Sequence, residues 1–395
     1  MKYQWPPKID ELGDVVKDYI DQGNPLSIAD DGGVYKELEN LFSKLHNRKY
    51  ALLVSSGTMA LYSAFFGIGL CPGDEVICTS FSYHATASPL LHLGVKIVFC
   101  DVEEDTGNID VSKIENLVTS NTKAIVSNDQ WGHPCDKDGI LKICKKYNLK
   151  YVEDCSHAHF AEYKGRYVGS FGDVACWSLQ GNKLLSGGEG GILLTDDQDI
   201  FERAVLLGHN LKRPAKSVKN SYYKGLERTG YGLKLRIHPL AAVIVLHELK
   251  YYCFEWIKSR NETLSYFEKK LDEETFFSPM VKKEYVTSMG AWYGFKPLAD
   301  FDKLNIDKKH FVRWMNKKGF EVKLVKSDII PNYDLFKCND KYKINNFEKN
   351  VNFGFFEGAK KYLSKILTFP TFTFYEYERI DEYIKAIKDY WSENV

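Results

Sequence analysis

The feature of this sequence that most constrains its fold is a repeated change of hydrophobic period in the first half. Between Lys49 and Leu194, short apolar runs rich in β-branched residues give way again and again to helical patterns. The apolar runs cover residues 50–54, 75–78, 96–100, 124–127 and 151–153, and the helical patterns cover residues 57–67, 86–93, 111–118 and 138–147. This alternation predicts a mainly parallel α/β sheet with helices on both faces. Ligands of such sheets bind at the carboxyl ends of the strands.

The length and the second half of the chain predict two domains. A chain of 395 residues exceeds the usual size of a single core. A long helical pattern over residues 239–269 follows a basic loop, and beyond it short apolar segments alternate with charged helical runs. We therefore expect a large α/β domain over residues 1–250 and a smaller α+β domain over residues 251–395.

Composition and charge limit the classes of partner. Lys plus Arg and Asp plus Glu are equal at 53 each, so no net field favours nucleic acid or an anionic membrane. The nine cysteines form no CxxC pair, and His157 and His159 are too sparse to predict a metal site, so we expect reduced thiols and no metal. The start of the chain lacks an apolar signal core and no run of about 18 apolar residues occurs, so we expect a cytoplasmic protein.

A single lysine, Lys183, precedes a glycine-rich run. Four glycines lie between residues 187 and 191, where the backbone could approach a ligand closely. The run is not a phosphate-binding P-loop, because the lysine comes before the glycines and no Gly-Lys-Ser/Thr follows. The same glycines would also make a tight connection into the next strand, so the run by itself leaves both interpretations open.

Polar residues follow three of the predicted strands. Asp154 ends one of these strands, and a carboxylate in this place can keep a pyridinium nitrogen protonated. An Asp after a strand more often caps a helix, however. The Ser-Ser-Gly-Thr run at residues 55–58 opens a helix, which makes it either a phosphate seat or an ordinary cap. Tyr83 follows a third strand and could stack on a planar ring or belong to the core.

Taken in order, these segments resemble the DegT family of sugar aminotransferases, which are fold type I pyridoxal-phosphate enzymes. The resemblance extends from about residue 37 to residue 249 and rests on a series of motifs. They are Ser55-Ser56-Gly57-Thr58, residues 72–77 (PGDEVI), Gly132 and Pro134, Glu153-Asp154, residues 163–173 (YKGRYVGSFGD), and Lys183 with its Gly-Glu-Gly-Gly tail. The family implies a mainly parallel, seven-stranded type of sheet between helices, a smaller C-terminal domain, pyridoxal 5′-phosphate and a homodimer with shared sites.

The resemblance also implies roles for individual residues. Lys183 would form the Schiff base with the cofactor and later move a proton between substrate and cofactor. Asp154 would pair with the ring nitrogen and Tyr83 would cover one face of the ring. The phosphate would be held by Gly57, Thr58, Met59 and Ser178, and His157, at the position of a family glutamine, would lie near the phenolic oxygen.

Two positions separate this chain from parts of the family. Relatives commonly carry Asn-Tyr-Arg where this chain reads Lys234-Leu235-Arg236, and that Asn reaches the cofactor phosphate of the neighbouring subunit. Lys234 puts a cation at this place. Some dehydratase relatives have His instead of the Schiff-base lysine, so Lys183 argues against that activity.

We therefore predict an aminotransferase that moves an amino group from an amino acid such as L-glutamate to a keto group of a phosphorylated or nucleotide-linked sugar, with ping-pong kinetics. Residues 204–226 hold five Lys and Arg residues and no acid, which is typical of either an anion-recognition loop or a solvated loop. A small phosphorylated ketone such as dihydroxyacetone phosphate is the alternative acceptor. A dehydratase and a non-catalytic cofactor-binding protein stay open, whereas a dehydrogenase is disfavoured because no G-x-G-x-x-G follows a first strand.

Overall fold

The fold is built on one large sheet in a computed structural model that describes residues 7–337 and 354–394. The strands are β1 (Tyr50–Val54), β2 (Glu75–Thr79), β3 (Lys96–Cys100), β4 (Thr122–Asn128), β5 (Lys150–Asp154), β6 (Glu162–Tyr163), β7 (Arg166–Tyr167), β8 (Val174–Ser178), β9 (Gly191–Thr195) and β10 (Val286–Ser288). Seven of them form a sheet in the order β1-β9-β8-β5-β4-β2-β3. Within this seven-stranded sheet, neighbouring strands are parallel except where β9 pairs with β1 and with β8. The predicted mainly parallel sheet is therefore confirmed.

Both faces of this sheet are covered, which explains why its strands are apolar throughout. In β1 the side chains of Leu52 and Val54 join one hydrophobic cluster, whereas those of Ala51 and Leu53 join another. Successive side chains of a strand point to opposite faces, so each cluster belongs to one face. The sheet is thus the middle layer of three.

Helices supply the outer layers. They are α1 (Leu12–Asp21), α2 (Gly33–Leu45), α3 (Gly57–Gly67), α4 (Ser88–His92), α5 (Val111–Ile114), α6 (Lys137–Tyr147), α7 (Gln198–Gly208), α8 (Lys212–Ser217), α9 (Pro239–Tyr251), α10 (Cys253–Glu274), α11 (Lys308–Lys317), α12 (Glu357–Lys365) and α13 (Tyr377–Asn394). Helix α3 packs between α7 and strands β8 and β9, so it is apolar on nearly every side. This packing holds the first turn of α3 against the carboxyl edge of the sheet.

The prediction of one long helix over residues 239–269 is wrong, because the chain forms two helices there, α9 and α10. Tyr252 lies between them with φ −125° and ψ −35°. No Gly or Pro marks this break. The Tyr252 hydroxyl donates to Glu11, and its ring stacks on Trp256 with a centroid distance of 5.5 Å. Tyr252 thus makes one local contact and one contact with a residue far away in sequence at the point where α9 ends.

The two helices support the proposal that a large and a small domain meet near residue 251. Helix α9 packs on α1 and α2, whereas α10 packs on α13 near the end of the chain. Across the described ranges, no helix combines the length and the apolar character that a membrane crossing needs. Eight cysteines there are free, and Cys338 lies outside the described residues.

Candidate active site

Strand ends converge on a cavity of about 470 Å³. Because β1, β4, β5 and β8 run in the same direction, their carboxyl ends meet at one edge of the sheet. The lining includes most of the residues singled out in the sequence: Gly57, Thr58, Tyr83, Asp154, His157, Ser178 and Lys183. Residues from distant segments are thus brought to one place.

Asp154 is held rigidly at the end of β5. It is 4% exposed, Thr86 Oγ1 donates to its Oδ2 at 2.7 Å, and the Ser156 N–H donates to its Oδ1 at 3.1 Å. The neighbouring strand supports it as well, since Asn128 Nδ2 donates to the Asp154 carbonyl at 3.3 Å. The carboxylate therefore has a fixed orientation toward the cavity, besides closing a local turn.

The start of helix α3 supplies free backbone donors. The Met59 N–H bonds to Ser56 Oγ at 3.2 Å and the Ala60 N–H bonds to the Ser56 carbonyl at 2.9 Å. Helix geometry leaves the earlier N–H groups, those of Gly57 and Thr58, without intrahelical acceptors. Ser56 is thus an ordinary cap, and the same turn has the free N–H groups that a phosphate needs.

Gly57 is required for this turn. A Cβ at Gly57 would lie 2.6 Å from Ser178 Cβ and 2.9 Å from Ser178 Cα. The approach brings the first turn of α3 against the end of β8, so the N–H groups of α3 and the Ser178 hydroxyl border the same space. An anion placed there would meet donors from both elements.

Lys183 is buried beside the cavity, and no carboxylate of the described residues forms an ion pair with it. It is 7% exposed, and its ammonium lies 3.8 Å from the ring centroid of Tyr293. Burial lowers the pKa of Lys183 to about 7, although the Asp154 carboxylate acts in the opposite direction. An amine with this pKa is both a nucleophile and a proton carrier near neutral pH.

The glycines after Lys183 pack against protein. A Cβ at Gly191 would lie 2.3 Å from the Ser56 carbonyl oxygen, and one at Gly187 would lie 2.8 Å from the Ala241 carbonyl oxygen. These glycines therefore allow backbone segments to approach closely and lead into β9. The lysine, rather than the glycine run, faces the cavity.

His157 belongs to a stack of three rings. Its ring lies 4.0 Å from that of Tyr293 and 5.3 Å from that of Trp131, with interplanar angles of 16° and 11°. Burial, with Lys183 and Lys296 nearby, lowers the pKa of His157 well below its usual value, so the ring is neutral. Its Nδ1 has no hydrogen-bond partner within the described part of the chain.

Three other predicted residues occupy different positions. Tyr83 borders the cavity and is 58% exposed, so it is not a core aromatic. Met59 is partly buried in the core and does not line the cavity. Lys234 is exposed and also lies outside the cavity of its own chain.

Sequence reasoning missed several lining residues. Asn128 ends β4 in register with Asp154, so the rule that identified Asp154 would also have found it. Trp131 carried no such signal; it follows β4 in a short turn where its φ is +59°. Tyr293 and Ser327 come from the second half of the chain, where no motif marks them.

The residues present fit pyridoxal phosphate. The unpaired N–H groups of Gly57 and Thr58 suit its phosphate, Asp154 suits its ring nitrogen, and the Lys183 amine suits its aldehyde. Two buried atoms that border the cavity, Asn128 Oδ1 and His157 Nδ1, have no partner among residues 7–337 and 354–394. Buried polar groups are normally paired, so these atoms indicate a polar ligand.

A buried charge network supports the base of the site. Lys137 Nζ lies 2.6 Å from Asp129 Oδ1 and 3.0 Å from Glu153 Oε2, and all three side chains are at most 1% exposed. Glu153 also accepts backbone N–H groups of the loop before β8. Asp129, Glu153 and Cys155 are close enough to share a metal, but the ammonium already lies between the two carboxylates.

The basic loop does not line this cavity. The Arg213 guanidinium pairs with Glu39 at 3.0 Å in a buried contact, and Lys216 pairs with Asp30 and Asp31 at 3.2 Å. These cations have acidic partners on and before α2. Within one chain the loop therefore has a structural role, and the structure does not favour its interpretation as an anion-recognition loop.

The comparisons with known proteins agree with this geometry. The profile of the DegT/DnrJ/EryC1/StrS aminotransferase family matches residues 16–388. GDP-perosamine synthase of Escherichia coli O157:H7 is 32% identical over 65% of this chain and 68% of its own length. The spore coat polysaccharide biosynthesis protein SpsC of Bacillus subtilis is 29% identical over 91% of this chain and 90% of its own. The crystal structure of an aminotransferase from Psychrobacter cryohalolentis aligns with a TM-score of 0.85 and 25% identity, over 99% of this chain and 98% of that one. The chain therefore belongs to the DegT/DnrJ/EryC1/StrS aminotransferase family and is a pyridoxal-phosphate-dependent aminotransferase.

Proposed function

We propose that this aminotransferase moves the amino group of L-glutamate to a keto group of a phosphorylated or nucleotide-linked sugar. The observation that carries the proposal is the meeting of Lys183, Asp154 and the phosphate seat of α3 in one cavity. The names of the relatives, a GDP-perosamine synthase and a spore coat polysaccharide biosynthesis protein, support a sugar as the acceptor. Biosynthesis of a surface polysaccharide is the pathway class that fits these names.

When bound, pyridoxal phosphate supplies an aldehyde that takes up the donor's amino group and a ring that accepts the electron pair of the breaking C–H bond. Asp154, fixed by Thr86 and Ser156, keeps the ring nitrogen protonated. The first N–H groups of α3 and the Ser178 hydroxyl hold the phosphate. The His157 ring, neutral and with Nδ1 unpaired, is placed to bind the phenolic oxygen as a donor.

Lys183 has two tasks in this proposal. Its neutral amine would hold the cofactor aldehyde, and once an amino donor has released it, the same amine would serve as the base that takes the proton from the substrate carbon and passes it on. A pKa of about 7 lets the amine accept and release that proton near neutral pH. The neighbouring Tyr293 ring, 3.8 Å away, limits the directions in which the amine can move.

We also propose that two copies of the chain share their sites. Lys234 lies outside the cavity of its own chain, so the phosphate contact that the resemblance assigns to this position requires a second copy. Tyr83 is 58% exposed beside the cavity, which leaves one side of the site open to a partner. Analytical ultracentrifugation should give a dimer, and a monomer at micromolar concentration would contradict this part of the proposal.

Two alternatives keep the same cofactor. A small phosphorylated ketone such as dihydroxyacetone phosphate would use the same amine chemistry with a smaller acceptor. A dehydratase would not return an amino group, and Lys183, in the place where some dehydratase relatives have His, disfavours it.

The test runs in two stages on the cofactor-loaded protein. L-glutamate should first convert the bound cofactor to its aminated form with release of 2-oxoglutarate. Nucleotide-linked 4-keto and 3-keto sugars and dihydroxyacetone phosphate are then added separately, and the amino product is identified by mass spectrometry. Amination of a keto sugar is the expected result. Amination of the triose phosphate alone would favour the alternative acceptor, and turnover of none of them would reject both.

A further inference from the structure

A second cavity of about 400 Å³ adjoins the first. The two share a wall of residues, which are Trp131, His157, Asn182, Tyr293 and Ser327. The shared wall includes the stacked rings next to Lys183, so the second cavity lies beside the reacting end of the first. The remaining lining comes mainly from the second half of the chain, including Thr368 and Thr371.

The second cavity is strongly cationic. Its lining includes Arg260, Lys296, Lys323 and Lys326, and none of its described lining residues is acidic. Arg260 is engaged with protein, since its guanidinium donates to the Ala291 carbonyl and to Thr373 Oγ1 at 2.6 Å each. Lys323 forms an ion pair with Glu321 near the surface. Lys323 and Lys326 are exposed to solvent, so Lys296 is the one lysine of this lining that is buried.

Lys296 is buried without a counter-ion. It is 4% exposed, and its ammonium lies 4.4 Å from the ring centroid of Trp131. No carboxylate of residues 7–337 or 354–394 pairs with it, and burial, together with Lys323, lowers the pKa of Lys296 to about 7. Burying an ammonium in this way is unfavourable unless an anion meets it.

The position of Lys296 is fixed by the surrounding backbone. Phe295 bridges to Phe369, and the Lys296 N–H donates to Met280 Sδ at 3.2 Å. A Cβ at Gly294 would lie 3.0 Å from the ammonium, so the chain leaves room for this side chain. A pre-positioned cation loses little freedom when an anion binds.

We propose that the second cavity binds the phosphate or diphosphate group of the acceptor, and that Lys296 is the residue that recognises it. The inference rests on the proposed function and adds a specificity-determining residue to it. A donor carboxylate would occupy only a small part of a cavity of about 400 Å³. The hydroxyl groups of Ser327, Thr368 and Thr371 suit a sugar, whereas Lys296 supplies the charge-assisted contact.

The test compares binding of two probes to the cofactor-loaded protein. Inorganic pyrophosphate is titrated by calorimetry, and L-glutamate by its change of the visible spectrum. In Lys296→Met the affinity for pyrophosphate should fall about tenfold or more, as expected for one charge-assisted contact, and this loss should exceed any loss of glutamate affinity by a similar factor. Lys296→Arg keeps the charge and should keep most of the affinity, and Lys309→Met, on the exposed side of α11, is the matched control.

The pH dependence gives an independent readout. The ratio of pyrophosphate affinity in the wild type to that in Lys296→Met should fall as pH rises above about 7, because the ammonium of Lys296 in the unliganded protein loses its proton there. The titration of pyrophosphate itself is common to both proteins and cancels in this ratio. Equal pyrophosphate affinity in Lys296→Met and wild type would overturn the inference, and so would a loss confined to glutamate. If pyrophosphate binds through Lys296 while glutamate never changes the spectrum, the proposed function fails and the anion site stands.

Discussion

The buried ion network beneath the site makes a quantitative prediction. Lys137→Met leaves the carboxylates of Asp129 and Glu153 in the interior without their cation, which lies 2.6 and 3.0 Å from them in the wild type. Burial alone lowers the pKa of Lys137, but Asp129, Tyr151 and Glu153 outweigh it and raise the pKa well above its ordinary value. Removing one partner of a buried pair costs about 3–5 kcal/mol, so we expect a loss of this size in the free energy of unfolding.

A matched control lies on the strand that carries the site. Lys150 of β5 pairs with Asp173 at 2.8 Å, but the two side chains are 44% and 31% exposed. Lys150→Met should therefore cost less than about 1 kcal/mol. Urea denaturation followed by tryptophan fluorescence measures both variants. Equal losses in the two, or a loss below about 1 kcal/mol in Lys137→Met, would refute the assignment of Lys137 as the charged partner of the Asp129 and Glu153 carboxyl groups.

Two further substitutions test the phosphate seat and the support of the glycine-rich segment. Gly57→Ala should weaken cofactor binding about tenfold or more in a fluorescence titration, because the new Cβ would lie 2.9 Å from Ser178 Cα. The control is Gly13→Ala, which should leave that affinity unchanged because no atom lies within 4 Å of a Cβ at Gly13. The Glu248 Oε2 accepts the Ser186 N–H, and burial raises the pKa of Glu248 to about 8. Between about pH 4.5 and 8 the folded state therefore binds more protons than the unfolded state, and the free energy of unfolding falls as pH rises through that window. In Glu248→Gln up to about 5 kcal/mol of this pH-dependent loss of stability should disappear. The difference in melting temperature between pH 5 and pH 8 should then be smaller than in the wild type, and an unchanged difference would contradict the prediction.

The parts of the fold that could be predicted are those specified by local pattern. Strands Tyr50–Val54 and Lys96–Cys100 and helix Gly57–Gly67 have the predicted bounds, because buried parallel strands and an apolar helix leave long unbroken signals. The break at Tyr252 left no such signal. The contact found there, from the Tyr252 hydroxyl to Glu11, joins residues far apart in sequence.

The residues of the site also divide into those that the sequence pattern predicts and those that it does not. Asp154, the start of α3 and Ser178 could be anticipated because parallel strands bring their carboxyl ends together. Tyr293 and Lys296 could not, since they reach the cavities through the packing of a segment more than a hundred residues later. Conversely, the sequence left the basic loop open as either an anion-recognition loop or a solvated loop, because the acidic partners of Arg213 and Lys216, Glu39 and Asp30, lie far away in sequence.

The most direct test of the central claim is the visible absorption spectrum of the protein with pyridoxal phosphate, recorded before and after addition of L-glutamate. We expect a band of the lysine-bound cofactor in the wild type, its loss on addition of glutamate, and a Lys183→Ala variant that lacks the band. A wild-type protein that never forms the band, or a Lys183→Ala variant that forms it and responds to glutamate as the wild type does, would contradict the assignment of Lys183.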